Sequence, residues 1–169
     1  MALNGERSAL ADRLDSVERR LVEHAASDLA GLTDADADTG ERWEAGQVWA
    51  HLAEFPAYWL DQVDRVLERA SRGETGPIPF GRTRSDHDRI AAIERDRAAA
   101  PETLLRRVRG GIARARQAIG SLPADAWQTA ARHPTRGELT VGRILQRFVV
   151  EHLEEHAAQL DSLRVPSPG

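Results

Sequence analysis

Apolar residues recur along this chain at intervals of three and four, the period of a helix that buries one face. Leu10, Leu14, Val17 and Leu21 form the first stripe and predict a helix from about Glu6 to Leu29, with Gly31 as its stop signal. The acidic stretch from Thr33 to Gly40 reads as a linker. A second helix is expected from about Glu44 to Ala70, with Val48, Leu52, Phe55, Trp59, Val63 and Val66 as its stripe. Pro56 lies inside it and is expected to kink it, because proline cannot donate to the carbonyl of Leu52. Residues 72–85, RGETGPIPFGRTRS, hold three Gly and two Pro and read as a long loop. A short helix follows from Asp86 and ends before Pro101.

Pro101 suits the first turn of a third long helix, expected to run to about Ile119 on Leu105, Val108, Ile112, Ala115 and Ile119. Gly110-Gly111 either weakens this helix or lets another backbone come close. Thr140 is a good N-cap for a fourth helix reaching about Leu163. No stretch alternates apolar and polar residues convincingly over a strand's length. The expectation is an all-α fold, an up-down-down-up four-helix bundle with long crossover connections. Residues 1–165 are read as one domain and 166–169 as a frayed tail.

Composition narrows the chemistry. There is no Cys, which excludes disulfides, thiolate metal ligands and a cysteine nucleophile. There is no Lys either, so all 23 basic residues are Arg, and lysine Schiff bases and a P-loop lysine are excluded. No apolar run is long enough to span a bilayer and no signal-peptide pattern opens the chain, so a cytoplasmic protein with no membrane partner is expected. The net charge of −4 argues against nucleic acid as a partner. Charge is nevertheless uneven: residues 1–71 carry −8 and residues 72–120 carry +5.

The histidines carry most of the functional signal. At 100° per residue, His152 and His156 fall within about 20° of Leu145 on either side, at the centre of the fourth helix's apolar face. Two buried imidazoles one turn apart need partners, and one metal ion satisfies both. His51, at the edge of the second helix's stripe, is the best candidate for a third ligand. The expected metal site therefore lies between the second and fourth long helices, with coordination positions left open. His24 reads as structural or solvated, His87 as a helix-start residue and His133 as a solvated loop residue.

Competing motifs fail. His152 to His156 fits the inverted zincin pattern H-x-x-E-H, but only 13 residues remain for the further ligand that class needs. Val149 and Leu153 stand where a di-iron bundle needs Glu. Asp34, Asp36 and Asp38 open like a calcium loop, but Thr39 and Ala45 occupy its required Gly and Glu positions. Arg82 and Arg84, in the proline–glycine loop, are candidates to hold an anionic ligand, and Tyr58 and Trp59 to wall its pocket. Glu155 is the candidate acceptor that orients a ligand histidine.

Two segments carry a family resemblance: WEAGQVWAHLAEFPAYW, from Trp43 to Trp59, and GELTVGRILQRFVVEHLEEHAAQLDSL, from Gly137 to Leu163. Both resemble the DinB-like superfamily, which includes YfiT-type and mycothiol-dependent isomerase branches. PFGRTRSDHDR is similar to a middle loop of some members, and the resemblance covers about residues 8–164. It implies that His51, His152 and His156 are ligands to a divalent metal, zinc or nickel first. It implies thiol-dependent transfer with mycothiol or another low-molecular-weight thiol and an electrophilic small molecule, and a homodimer as a candidate assembly. At the position of His152 the isomerase branch carries a Glu. Two other readings stand beside this one: a metal–water hydrolase on the same site, and a non-enzymatic helical interaction module.

Overall fold

The computed structural model describes residues 2–165, so the tail expected at 166–169 lies outside the described residues. Helix α1 (Ala2–Ala25) buries Leu10, Leu14, Val17 and Leu21. It stops earlier than the sequence suggests, because the Ser27 amide turns back onto the His24 carbonyl at 3.1 Å. The residues after it serve a different purpose: Leu29 forms a bridge with Arg164, and Ala30 N–H donates to the Leu163 carbonyl at 2.9 Å.

Helix α2 (Ala45–Ser71) opens with a reciprocal capping box between Glu44 and Gln47. All six residues of its expected stripe are buried, and it continues as one helix through Pro56. The proline ring packs against α4 (Pro101–Ser121) at Gly111, where a Cβ would lie 2.7 Å from the Pro56 Cβ. Close approach is therefore the reason for Gly111. On α4 the buried first-turn residue is Leu104, with Leu105 only half-buried. In the connection from α2 to α4 lies α3 (His87–Asp96), which packs on α2 and whose N-cap Asp86 accepts from Arg89 N–H at 2.9 Å.

The chain is not purely helical. Strand β1 (Ile78–Pro79) pairs in parallel with β2 (Ala130–His133), and β2 pairs antiparallel with β3 (Gly137–Thr140). This small sheet ties the proline–glycine loop to the connection before the last helix. The strands are two to four residues long, too short for period-two patterning to register. A four-residue helix, α5 (Ala124–Trp127), sinks Trp127 into the core.

The closing rod begins at Thr140, whose hydroxyl accepts from Arg143 N–H at 3.2 Å as an N-cap. It runs through α6 (Val141–Ile144), a π-helical segment (Leu145–Val150) and α7 (Glu151–Ser162). Helices α1, α2, α4 and this rod form a four-helix bundle around one apolar core. None of the described helices is long and apolar enough to cross a membrane.

The uneven charge of the sequence is resolved across helix interfaces. Arg116 on α4 pairs with Asp15 of α1 at 2.5 Å, Arg109 with Glu18 at 2.7 Å, and Arg114 with Asp64 of α2 at 2.6 Å. The basic face of α4 is thus largely neutralised by acidic residues from the chain's first half. Exposed pairs of this kind contribute about 0–1 kcal/mol each.

Candidate metal centre

Helix α2 and the closing rod bring three imidazoles together. His51 Nε2 and His152 Nε2 lie 3.1 Å apart, and one ring nitrogen from each of His51, His152 and His156 falls within 4.8 Å of the others. Phe55 forms the floor, its ring centroid 4.2 Å from that of His152 and 5.1 Å from that of His51. Trp43 stacks on His156 at 6.1 Å and meets His51 edge-on at 5.5 Å. It is fixed there by Thr33, whose hydroxyl accepts from Trp43 N–H at 2.9 Å. The acidic linker therefore anchors one wall of the site.

The π-helical segment explains how the two histidines of the rod reach this position. Before it, the buried positions are Val141, Gly142 and Ile144, and within it Leu145, Phe148, Val149 and Val150 are buried. After it, they are Leu153, Ala157 and Leu160, one residue later than a straight α-helix continuing the series of Leu145 and Phe148 would place them. A π turn accommodates one extra residue, and the buried stripe shifts by that residue. His152 and His156 thus sit at the edge of the core, facing an open cavity, instead of at its centre. The straight-helix reading put both rings at the centre of the apolar face, and the structure places them at its margin.

The electrostatics favour neutral imidazoles. Burial, reinforced by mutual repulsion within the cluster, holds His51 and His152 well below the usual histidine range. Burial pulls His156 down to about 4, against the opposing hydrogen bond to Gln159. That bond, His156 Nδ1 to Gln159 Oε1 at 2.6 Å, puts the proton on Nδ1 and leaves Nε2 with a free lone pair. On the far side of the cluster, His51 Nδ1 faces Glu54 Oε2 at 3.5 Å, and neither buried atom has another partner. Closing that gap by about half an ångström would complete a carboxylate–histidine pair of the kind that backs metal ligands. Glu54 is in turn held by Arg82, whose guanidinium lies 3.7 Å over the Tyr58 ring.

These residues fit a divalent ion. Two imidazole nitrogens bound to one ion at about 2.0–2.1 Å lie about 2.9–3.4 Å apart, and His51 and His152 are already at 3.1 Å. Without an ion, that contact must be a hydrogen bond between two rings. With one, both lone pairs and the orientation of His156 are accounted for.

The cavity in front of the triad has a volume of about 830 Å³. Trp59 and Phe148, 4.3 Å apart, form its apolar side, and Arg82, Arg84, Arg89 and Arg147 supply charge. The model of the DinB superfamily matches residues 13–160. The chain belongs to the DinB superfamily. Its fold is shared by YfiT from Bacillus subtilis, described as a probable metal-dependent hydrolase with an unusual four-helix bundle topology. That match has 21% identity, covers 93% of this chain and 85% of the other, and has a TM-score of 0.69. A mycothiol-dependent maleylpyruvate isomerase matches at 16% identity over 95% of this chain, with a TM-score of 0.68. This DinB-superfamily chain spans 61% of the isomerase's length. The colibactin self-resistance protein ClbS, solved in complex with double-stranded DNA, matches at 16% identity over 93% of this chain and 94% of its own, with a TM-score of 0.59. No curated protein matches this member of the DinB superfamily by sequence.

The structure redistributes several roles that the sequence suggested. Glu155 pairs with Arg147 at 2.7 Å, and the acceptor on His156 is Gln159 instead, one turn nearer the C-terminus on the same face. Arg84 is held by Asp36 at 2.6 Å, and Arg82 is buried behind His51 in its pair with Glu54. Trp59 walls the cavity, whereas Tyr58 turns away beneath Arg82. His133 is no solvated loop residue: it is buried on β2, where Nε2 donates to the Arg82 carbonyl at 3.1 Å and the ring stacks on Phe148. The residues missed by sequence reasoning are Glu54, Gln159 and Arg89. Glu54 and Gln159 stand three residues after His51 and His156, a spacing that places an acceptor beside each ring.

Proposed function

We propose that this chain is a divalent-metal-dependent enzyme of the DinB superfamily that transfers a low-molecular-weight thiol, such as mycothiol, to a small electrophile. His51, His152 and His156 hold the ion, with zinc or nickel the expected metals. The observation that carries this reading is the convergence of three neutral imidazole lone pairs on a cavity of about 830 Å³. Three protein ligands leave positions for exchangeable groups, as in catalytic sites. The mycothiol dependence of the isomerase that shares this fold supports the choice of thiol.

Each residue has a definable task. Gln159 keeps the His156 proton on Nδ1, and Glu54, braced by Arg82, faces the Nδ1 of His51. Phe55 and Trp43 close the inner side of the triad against water. Trp59 and Phe148 offer an apolar surface to the carbon frame of a substrate. A divalent ion bound there supplies Lewis acidity, which lowers the pKa of a thiol or water and favours its nucleophilic form. Because the chain has no Cys, the thiol must come from outside. The description of YfiT as a probable metal-dependent hydrolase favours a second reading, with water as the nucleophile in the same cavity.

Elemental mass spectrometry of the purified protein tests the proposal. Wild type is expected to carry about one divalent ion per chain, and the variant His152→Ala/His156→Ala essentially none. Activity on electrophiles with and without added thiol then separates transfer from hydrolysis. A wild type that binds no metal even after reconstitution overturns both readings and favours an interaction module.

A further inference from the structure

Most of the arginines around the cavity are already engaged by carboxylates. Arg84 is held by Asp36, Arg147 by Glu155 and Arg82 by Glu54. Arg89 differs. It projects from the first turn of α3 onto the cavity wall, half-buried, with its guanidinium carbon 5.6 Å from the centre of the Trp43 ring. Among the described residues no carboxylate lies within ion-pair distance of it. Its one side-chain hydrogen bond is from Nη1 to the Arg84 carbonyl at 3.0 Å. A guanidinium has five N–H donors, so four remain to be used.

The charge it brings is not balanced by the triad. The triad supplies no carboxylate, and Glu54, the acid behind it, is already paired with Arg82. A divalent ion on neutral ligands would add to this positive potential. The cavity lining also carries Asp34, Asp36, Asp38, Glu41 and Glu155, so the place for an anion is local: the stretch between Arg89 and the triad, beside the apolar wall of Trp59 and Phe148.

We propose that Arg89 is the specificity-determining residue of this cavity and that it takes the carboxylate of a small organic acid whose reactive end faces the histidines. The proposal rests on reading the cavity as the site of metal-dependent transfer. It deepens that reading by naming the substrate class. A planar guanidinium with free donors matches a carboxylate through two parallel hydrogen bonds, which fixes orientation as well as charge. A cavity of this size suits a single small molecule.

The test is calorimetric titration of benzoate and its neutral isostere benzamide into the protein, both as purified and after chelation. Wild type is expected to bind benzoate more tightly than benzamide in both states. Arg89→Gln is expected to lower benzoate affinity about tenfold or more while leaving benzamide unchanged. Arg89→Lys, which keeps the charge without the fork, should fall between, and Arg132→Gln, outside the cavity, should match wild type. Unchanged benzoate affinity in Arg89→Gln, or no preference for benzoate in wild type, overturns the proposal. Metal content is read on the same samples. An absent metal would defeat the proposed function, and an indifferent Arg89 would defeat this inference, so the two failures are distinguishable. Titrating N-acetylcysteine against N-acetylcysteamine identifies the source of the carboxylate. An Arg89-dependent preference for the former places it on the thiol, and its absence alongside the benzoate effect places it on the electrophile.

Discussion

A histidine can bind a metal only through a nitrogen that carries no proton, so the atoms behind the ring matter as much as those in front. For His156 the deciding atom is Gln159 Oε1, 2.6 Å from Nδ1. Replacing Gln159 with Leu removes the acceptor, frees the tautomer and should weaken metal binding about 10–100-fold in a competitive chelator titration. Gln159→Glu retains an acceptor and should preserve affinity. Glu54→Gln should weaken binding in the same direction, because the proton on His51 loses its carboxylate neighbour and the buried Arg82 keeps only Asp86, at 3.7 Å, as a counter-charge. If Gln159→Leu binds metal as tightly as wild type, the ring is oriented by packing alone. The identities of the three histidines were legible in the sequence because helix spacing places them. Glu54, Gln159 and Arg89 were not, since their roles depend on which atoms meet after the helices pack. An i+3 Glu or Gln beside a histidine is common on any helix surface and carries little information until that face is known to be buried.

At the scale of elements, the long helices were legible because their apolar residues keep a 3.6-residue period and their ends carry caps, as at Glu44, Pro101 and Thr140. What was hidden lies where that period breaks. The sheet uses strands too short to show alternation, and the π-helical segment looks like ordinary helix in the sequence. Its effect is visible as a stripe that widens over Phe148, Val149 and Val150 and resumes at Leu153 one residue out of step with Leu145 and Phe148. That offset is the signature of a single inserted residue. Deleting Gln146, which is only half-buried, should let the rod become α-helical throughout while both buried stripes keep their partners. The deletion variant is expected to fold with melting temperature equal to or above that of wild type, and to retain its metal. A collapsed melting transition on thermal denaturation would show instead that the π geometry itself supports the core.

At the scale of the whole molecule, burial of histidine couples the fold to pH. Five of the six, His24, His51, His133, His152 and His156, have their proton affinity lowered, with burial the leading cause in each. Above about pH 6.5 they are neutral in both folded and unfolded chains and contribute nothing to pH dependence. Below it the unfolded chain takes up protons that the folded chain refuses, so stability falls with pH until each folded-state value is reached. For a histidine held near 4, as His156 is, the loss at pH 5 is about 2 kcal/mol. Several such groups should lower the melting temperature of the metal-stripped protein by about 10 °C or more between pH 7 and pH 5. Carboxylates do not account for that window: Asp96, drawn down to about 2 by Arg95 and then Arg107, loses its advantage only below the ordinary carboxylate range. A bound ion changes the competition, because protons must displace it from three rings that bind protons poorly. The loaded protein should therefore keep its metal and its melting temperature to a lower pH than an exposed three-histidine site would, with release following protonation toward pH 4 instead of 6.5. Thermal melts of loaded and stripped protein at half-unit steps from pH 7.5 to 4.5 measure both curves. A stripped protein whose melting temperature is flat from pH 7 to 5 would mean that the imidazoles protonate in place, in a site wetter than its geometry implies.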